Sequence, residues 1–126
     1  MVKRVSPREA QALMAEGYTY LDVRSTPEFE QGHPTGAVHI PLAEMGPAGM
    51  APNPNFLTLV QARFPKEAKL VVGCEAGGRS ARACAAMEAS GYTNLVDQRA
   101  GFGGTRGPNG PEKGWRDEGL PVEKGR

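Results

Sequence analysis

With 126 residues, 39% of them hydrophobic and 23% charged, the chain can bury a real core but is too short for two ordinary domains, and it is not a solvated disordered polymer. A formal net charge of +1 excludes a strongly basic nucleic-acid surface, and no apolar run reaches the roughly 18 residues that a membrane span requires. Two cysteines are too few for a disulfide scaffold, and the N-terminus runs into charged residues without a signal-peptide core, so the expectation is a cytoplasmic protein with free thiols.

In chain order, Ser6-Pro7-Arg8-Glu9 combines an N-cap serine, a proline at the first helical position and a glutamate at the third, so a helix begins there. Ala10, Leu13, Met14 and Gly17 follow at helical spacing, and residues 18–23 read as a buried strand ending in Asp22-Val23-Arg24. Thr26-Pro27-Glu28 opens a second, short helix that stops by Gly32, and residues 36–41 read as another short strand. Pro, Gly and Met crowd residues 41–54, which predicts a loop with one helical turn at most. Asn55 then caps a helix whose stripe of Phe56, Val60 and Phe64 faces the core, and Pro65 ends it.

Residues 69–74 form the clearest strand, residues 79–90 the clearest helix with Gly91 as its stop, and residues 94–97 a last short strand. Such alternation predicts a parallel sheet with helices on both faces and a ligand site at the carboxyl ends of the strands. Residues 100–114 are too rich in Gly and Pro for a regular element. They read as a long surface loop, either a lid over the site or an inert insertion, with Phe102 and Arg106 as candidate pocket residues. A terminal turn at Trp115 packs against the rest, giving one domain over residues 1–126.

The run Cys74-Glu75-Ala76-Gly77-Gly78-Arg79-Ser80 carries the chemistry. A thiol at the end of a strand, followed by two glycines and a helix start, sits where turn amides and the helix positive pole converge on an anion. That anion can be the thiolate or an anionic substrate. The thiolate is the nucleophile, and a free cysteine is only a few per cent ionised at neutral pH, so amides of residues 75–80, the helix start and the Arg79 charge are expected to favour ionisation. Asp22 is a candidate support that orients Arg79, or else a turn cap or a structural partner of Arg24, itself read as structural. Arg24 and Glu28 could meet only as a turn contact. Cys84 reads as a small buried core residue, with thiol redox chemistry as the sharper alternative. His33 and His39 lack partners at metal-ligand spacing and read as surface or loop residues, so no metal is expected.

Taken together, these residues resemble the rhodanese-like, single-domain sulfurtransferases. Cys74, Gly77, Arg79 and Ser80 match the family's active loop Cys-x-x-Gly-x-Arg-Ser. Residues 21–24, Glu28-Phe29, Gly32-His33 and residues 36–41 match its upstream signature, and Gly103-Gly104 and Trp115 its closing motif. The resemblance implies a rhodanese-like three-layer α/β/α sandwich with a five-stranded parallel sheet. It also implies a sulfurtransferase without cofactor, in which Cys74 takes a sulfane sulfur from a donor such as thiosulfate or a persulfide and passes it to a thiol or cyanide acceptor, a protein acceptor included. Arg79 and Ser80 would orient the loop, and Glu75, Ala76, Gly77, Gly78 and Ser80 would line the anion cradle.

Two departures stand out. Glu75 occupies a position that is Arg or Lys in many thiosulfate-using members, so facing the pocket it would repel a doubly charged anion. Trp115 lies farther from Gly-Gly than is usual. The alternatives are a cysteine phosphatase, whose loop is one residue longer, and a rhodanese-like module that binds a partner or senses oxidants.

Overall fold

The computed structural model describes residues 2–107 and 110–125. Its elements in chain order are β1 (Lys3–Val5), α1 (Pro7–Ala15), β2 (Thr19–Asp22), α2 (Thr26–Gln31), β3 (His33–Pro34), β4 (Val38–His39), β5 (Ala43–Gly46) and β6 (Gly49–Pro52). They continue with α3 (Phe56–Arg63), β7 (Leu70–Gly73), α4 (Gly78–Ala89), β8 (Leu95–Gln98), β9 (Thr105–Gly107), β10 (Gly110–Glu112) and β11 (Val122–Glu123). The central sheet has five strands in the order β1-β8-β7-β2-β4, each neighbouring pair parallel. Residues 3–5 were not anticipated as a strand, and β4 is shorter than the run 36–41 suggested.

Alternation along the strands divides the core in two. Leu21, Val23, Leu70 and Val72 point to one face, where they meet Phe56 and Val60 of α3 and Ala83, Cys84 and Met87 of α4. Tyr20, Val71 and Val96 point to the other face, against Ala10 of α1, Phe102, Trp115 and Leu120. Period-two alternation with both faces covered is what a parallel sheet between helical layers demands. The N-terminus of α1 has the expected capping box: the Glu9 amide donates to Ser6 Oγ and the Ser6 amide to the Glu9 carboxylate.

Two stretches differ from expectation. Residues 41–54 hold no helical turn; β5 and β6 pair antiparallel as a hairpin with Met45 opposite Met50, and Gly49 supplies the positive φ at the return. In the second, residues 105–112 also form a hairpin, β9 with β10, and its tip at 108–109 lies outside the described residues. The ends of this excursion meet, since the Trp115 amide donates to Gly101 O and the Arg116 amide to Phe102 O. Trp115 therefore reaches its buried seat, edge-on to Tyr20, despite its distance in sequence from Gly103-Gly104. Among the described residues no helix is long and apolar enough to cross a membrane.

Candidate active site

β7 delivers Cys74 to the carboxyl edge of the sheet, between β2 and β8. The chain then turns through Gly77, whose left-handed backbone (φ 96°) forms the N-cap of α4. This turn aims the Gly77 amide at Cys74 Sγ, 3.1 Å away. A side chain at Gly77 is excluded twice: by the positive φ, and because a Cβ would lie 2.4 Å from Arg99 O. Cys74 Sγ also lies 3.5 Å from Ser80 Oγ on the first turn of α4. The residue is only 2% exposed, with the core cluster on one side of the sulfur and these two polar groups on the other.

Behind the loop stands the glycine-rich turn after β8. The Phe102 amide donates to Cys74 O at 2.8 Å and the Gly103 amide to Glu75 O at 3.0 Å. Gly101, with φ 69°, makes this backbone contact possible, because a Cβ there would lie 2.3 Å from Glu75 O. The first part of the expected surface loop is thus a buried wall of the site: Ala100 and Phe102 are both buried.

Beside the loop is a cleft of about 660 Å³ whose lining includes Arg24, Glu28, Glu75, Phe102, Arg116 and Lys124. Phe102 lines it as anticipated; Arg106 does not, and faces a separate depression beside β9 and β10. Arg24 is 2% exposed, a structural residue as expected, and it also lines this cleft. It grips Asp22 through Nε to Oδ1 at 3.0 Å and Nη2 to Oδ2 at 2.7 Å, donates to Gly32 O, and lies over the Phe102 ring at 4.4 Å. Its remaining nitrogen, Nη1, donates to Glu75 Oε1 at 3.1 Å. Burial opposes the Arg24 charge, but Asp22 and Glu75 outweigh it and hold the guanidinium above its ordinary range.

The assignment of Asp22 to Arg79 is therefore corrected. Asp22 is taken by Arg24, two residues on, and supports the loop indirectly through the Arg24 to Glu75 bond. Arg79 is bound instead by Glu28, at 2.7 and 3.0 Å, a fork-to-fork pair that ties α4 to α2. Among the described residues Glu28 does not bond to Arg24; it points to Arg79 and also accepts from the Ser25 amide and hydroxyl. Hydrogen bonds from Arg79 hold the Glu28 carboxyl down at about 2, against an ordinary 4.5.

The histidines are also not surface groups. His33 is buried, stacked on Phe29 with its Nδ1 2.7 Å from Phe29 O, and half-buried His39 places Nε2 2.7 Å from Arg24 O. Both brace the segment that carries Arg24. Cys84 is buried in the core as expected, and burial pushes its thiol well up. Sequence reasoning missed Asp97. This buried carboxylate on β8 accepts from Ser80 Oγ at 2.6 Å and from Arg4 Nε at 3.0 Å, and its only signal in the chain was a charge at the end of a core strand.

Comparison with known proteins agrees with this architecture. A family model described as the rhodanese-like domain matches residues 6–104. Thiosulfate sulfurtransferase 16, chloroplastic, of Arabidopsis thaliana is 36% identical over 119 residues, which are 94% of this chain and 91% of the relative. Rhodanese-like domain-containing protein 15, chloroplastic, of the same plant is also 36% identical, but the match covers 95% of this chain and only 60% of that protein. Both relatives are chloroplastic by name, so they lend the cytoplasmic expectation no support. Among solved structures, that of Rv0390 from M. tuberculosis superposes with a TM-score of 0.81 at 26% identity, over 98% of each chain.

Proposed function

The chain belongs to the rhodanese-like domain family, and from that premise and the geometry around Cys74 we propose that it is a sulfurtransferase working through a Cys74 persulfide. The observation that carries the reading is the amide of Gly77 directed at Cys74 Sγ from a turn that only glycine can make. A donor is held in place by the loop 74–80, the Cys74 thiolate attacks its outer sulfur, and the donor's remaining atoms leave with the electron pair of the broken bond. An acceptor thiolate or cyanide then attacks the sulfur left on Cys74 and restores the thiol.

Main-chain donors around the loop stabilise the charge that appears on the outer sulfur, while the ion pair of Arg79 with Glu28 fixes the first turn of α4. Neither step needs a metal or an organic group. Glu75 bears on the donor. Its carboxylate stands on Arg24 at the cleft, where it already occupies the cation that a compact dianion would seek, which favours a persulfide donor over thiosulfate.

Intact-mass spectrometry tests the proposal. Incubation with thiosulfate or a low-molecular-weight persulfide adds one sulfur mass, cyanide removes it, and Cys74→Ala abolishes the gain. Release of phosphate from an aryl phosphate without any sulfur adduct would instead identify a phosphatase. A protein that takes up neither, and binds a partner equally well as Cys74→Ala, would be a binding module.

A further inference from the structure

The cleft beside the loop is larger than delivery of one sulfur atom requires. At about 660 Å³ it falls in the range of sites for organic ligands, roughly 300–1,000 Å³. Its charged lining is uneven. Next to the loop each acid already holds a cation, since Glu75 accepts from Arg24 and Glu28 from Arg79. The chain after Trp115 supplies the other charges, the exposed cations Arg116 and Lys124, together with Val122. These three residues lie past residue 104, where the match to the family model ends, so a segment outside the matched region builds this wall.

Local structure holds both cations in place. The Arg116 amide donates to Phe102 O at 3.1 Å, and its guanidinium lies 5.7 Å over the Phe102 ring. Asp117, the next residue, meets Arg116 Nε at 3.3 Å with both side chains more than half exposed, a contact that water screens. Lys124 follows β11, which pairs with β3 through Val122 opposite Pro34 and Glu123 opposite His33, and the Gly125 amide donates to Glu30 O at 2.9 Å. Period-two alternation turns Val122 and Lys124 to the cleft and Glu123 away from it, where Glu123 accepts from the Gly36 amide. The cleft thus joins an apolar patch, Phe102 and Val122, to two water-exposed cations.

We infer that Arg116 and Lys124 form a carboxylate subsite for the carrier of the donated sulfur, so that the donor is a persulfide of a thiol bearing a carboxylate at its far end. The inference rests on the proposed sulfur transfer and names its substrate class. Orientation follows from charge: the two cations attract the carboxylate, while Glu75 and Glu28 repel it from the mouth of the loop, leaving the sulfane end turned to Cys74. Phe102 and Val122 cover the carrier's apolar stem. In the transfer itself a bond forms between Cys74 Sγ and the outer sulfur, the bond from that sulfur to the carrier breaks, and its electron pair leaves on the carrier's thiolate.

The test uses reagents that differ only in the distant charge. One pair is the persulfides of mercaptopropionyl-glycine and mercaptopropionyl-glycinamide, with sulfur loading of Cys74 followed by intact-mass spectrometry. The second pair, bromoacetyl-glycine and bromoacetyl-glycinamide, alkylates Cys74 without any sulfur transfer and is read at the peptide that carries it. In both pairs the wild type should favour the acid over the amide by roughly four- to twentyfold in second-order rate, about two- to fivefold for each exposed contact. Arg116→Gln and Lys124→Gln should each remove their share, the double variant should bring the ratio close to one, and raised salt should flatten it in the wild type. Lys69→Gln removes an equal charge at the amino end of β7, away from the cleft, and should leave the ratio as it is.

A wild-type ratio near one, a preference that survives the double replacement, or an equal fall in Lys69→Gln overturns the inference. Normal loading without discrimination between the two persulfides would remove the subsite and leave the sulfurtransferase standing. Absence of loading from either persulfide would sink the proposed transfer, and the alkylation ratio would then decide the carboxylate subsite by itself.

Discussion

Two thiols lie in one core cluster, each 2% exposed, and they occupy very different surroundings. Cys84 is on the second turn of α4, where burial is the leading cause that raises its pKa and so opposes ionisation. Cys74, one strand away, is met by the Gly77 amide and the Ser80 hydroxyl. The difference teaches that accessibility does not separate the two sulfurs; the polar groups that converge on Cys74 do. Exchange of the two roles is the sharpest way to break the comparison. Cys74→Ala should lose all sulfur loading, whereas Cys84→Ala should load at the wild-type rate and cost only about 1 kcal/mol of unfolding free energy for the vacated sulfur. Loading that fails in Cys84→Ala with the fold intact would make the second thiol a participant.

The glycines of the turn sharpen the same contrast. Gly77→Ala would force a Cβ to 2.4 Å from Arg99 O at a φ of 96°, a strain of about 1–3 kcal/mol before any rearrangement. The turn must open, so the amide leaves the sulfur and loading should fall at least tenfold, with a clear loss of stability in urea titration. Gly78→Ala is the control. A Cβ there meets nothing within 4 Å and the residue is the first of α4, so stability should hold or rise by about 0.5 kcal/mol. Equal damage from both changes would mean that the loop is fragile everywhere rather than shaped at Gly77.

What the chain disclosed in advance follows the same line between local and distant contacts. The strand before Cys74, the glycine turn and α4 were legible because each depends on neighbours within a few residues, as did the capping box at Ser6 and Glu9. Arg24 was passed over because its partner at the cleft, Glu75, is 51 residues away, and Arg79 was given the wrong carboxylate because Glu28 is equally remote. β1 is three residues with two of them exposed, too short for any periodicity; it becomes a strand by pairing with β8. Glycine content concealed the two hairpins, since the residues that permit a tight return also dilute the apolar alternation that would announce a strand.

The cleft side yields a smaller effect than the turn. Glu75→Gln removes the carboxylate from Arg24 Nη1 and leaves that cation facing the cleft without its anion. With thiosulfate as donor, KM should fall severalfold while kcat changes less than twofold, because the gain is in ground-state attraction. Glu75→Arg should go further in the same direction. Unchanged steady-state kinetics in both would mean that the donor's charge does not meet this part of the cleft.

The smallest expected effect concerns the tie between α2 and α4. Glu28 has its carboxyl depressed to about 2 from an ordinary 4.5, first by hydrogen bonds from Arg79. A depressed carboxyl stabilises the fold fully above its unfolded value and loses that contribution as pH falls through its folded value, so the window runs from about pH 4.5 down to about pH 2. The pair is partly exposed, with solvent screening both groups, so its contribution at neutral pH is no more than about 1 kcal/mol. Unfolding free energy measured against pH should therefore drop slightly less steeply through that window in Glu28→Gln than in the wild type. If the two acid limbs were parallel, with the variant merely displaced downward, Glu28 would be acting through packing against Ser25 and α2, and the charge of Arg79 would contribute nothing to holding the first turn of α4 in place.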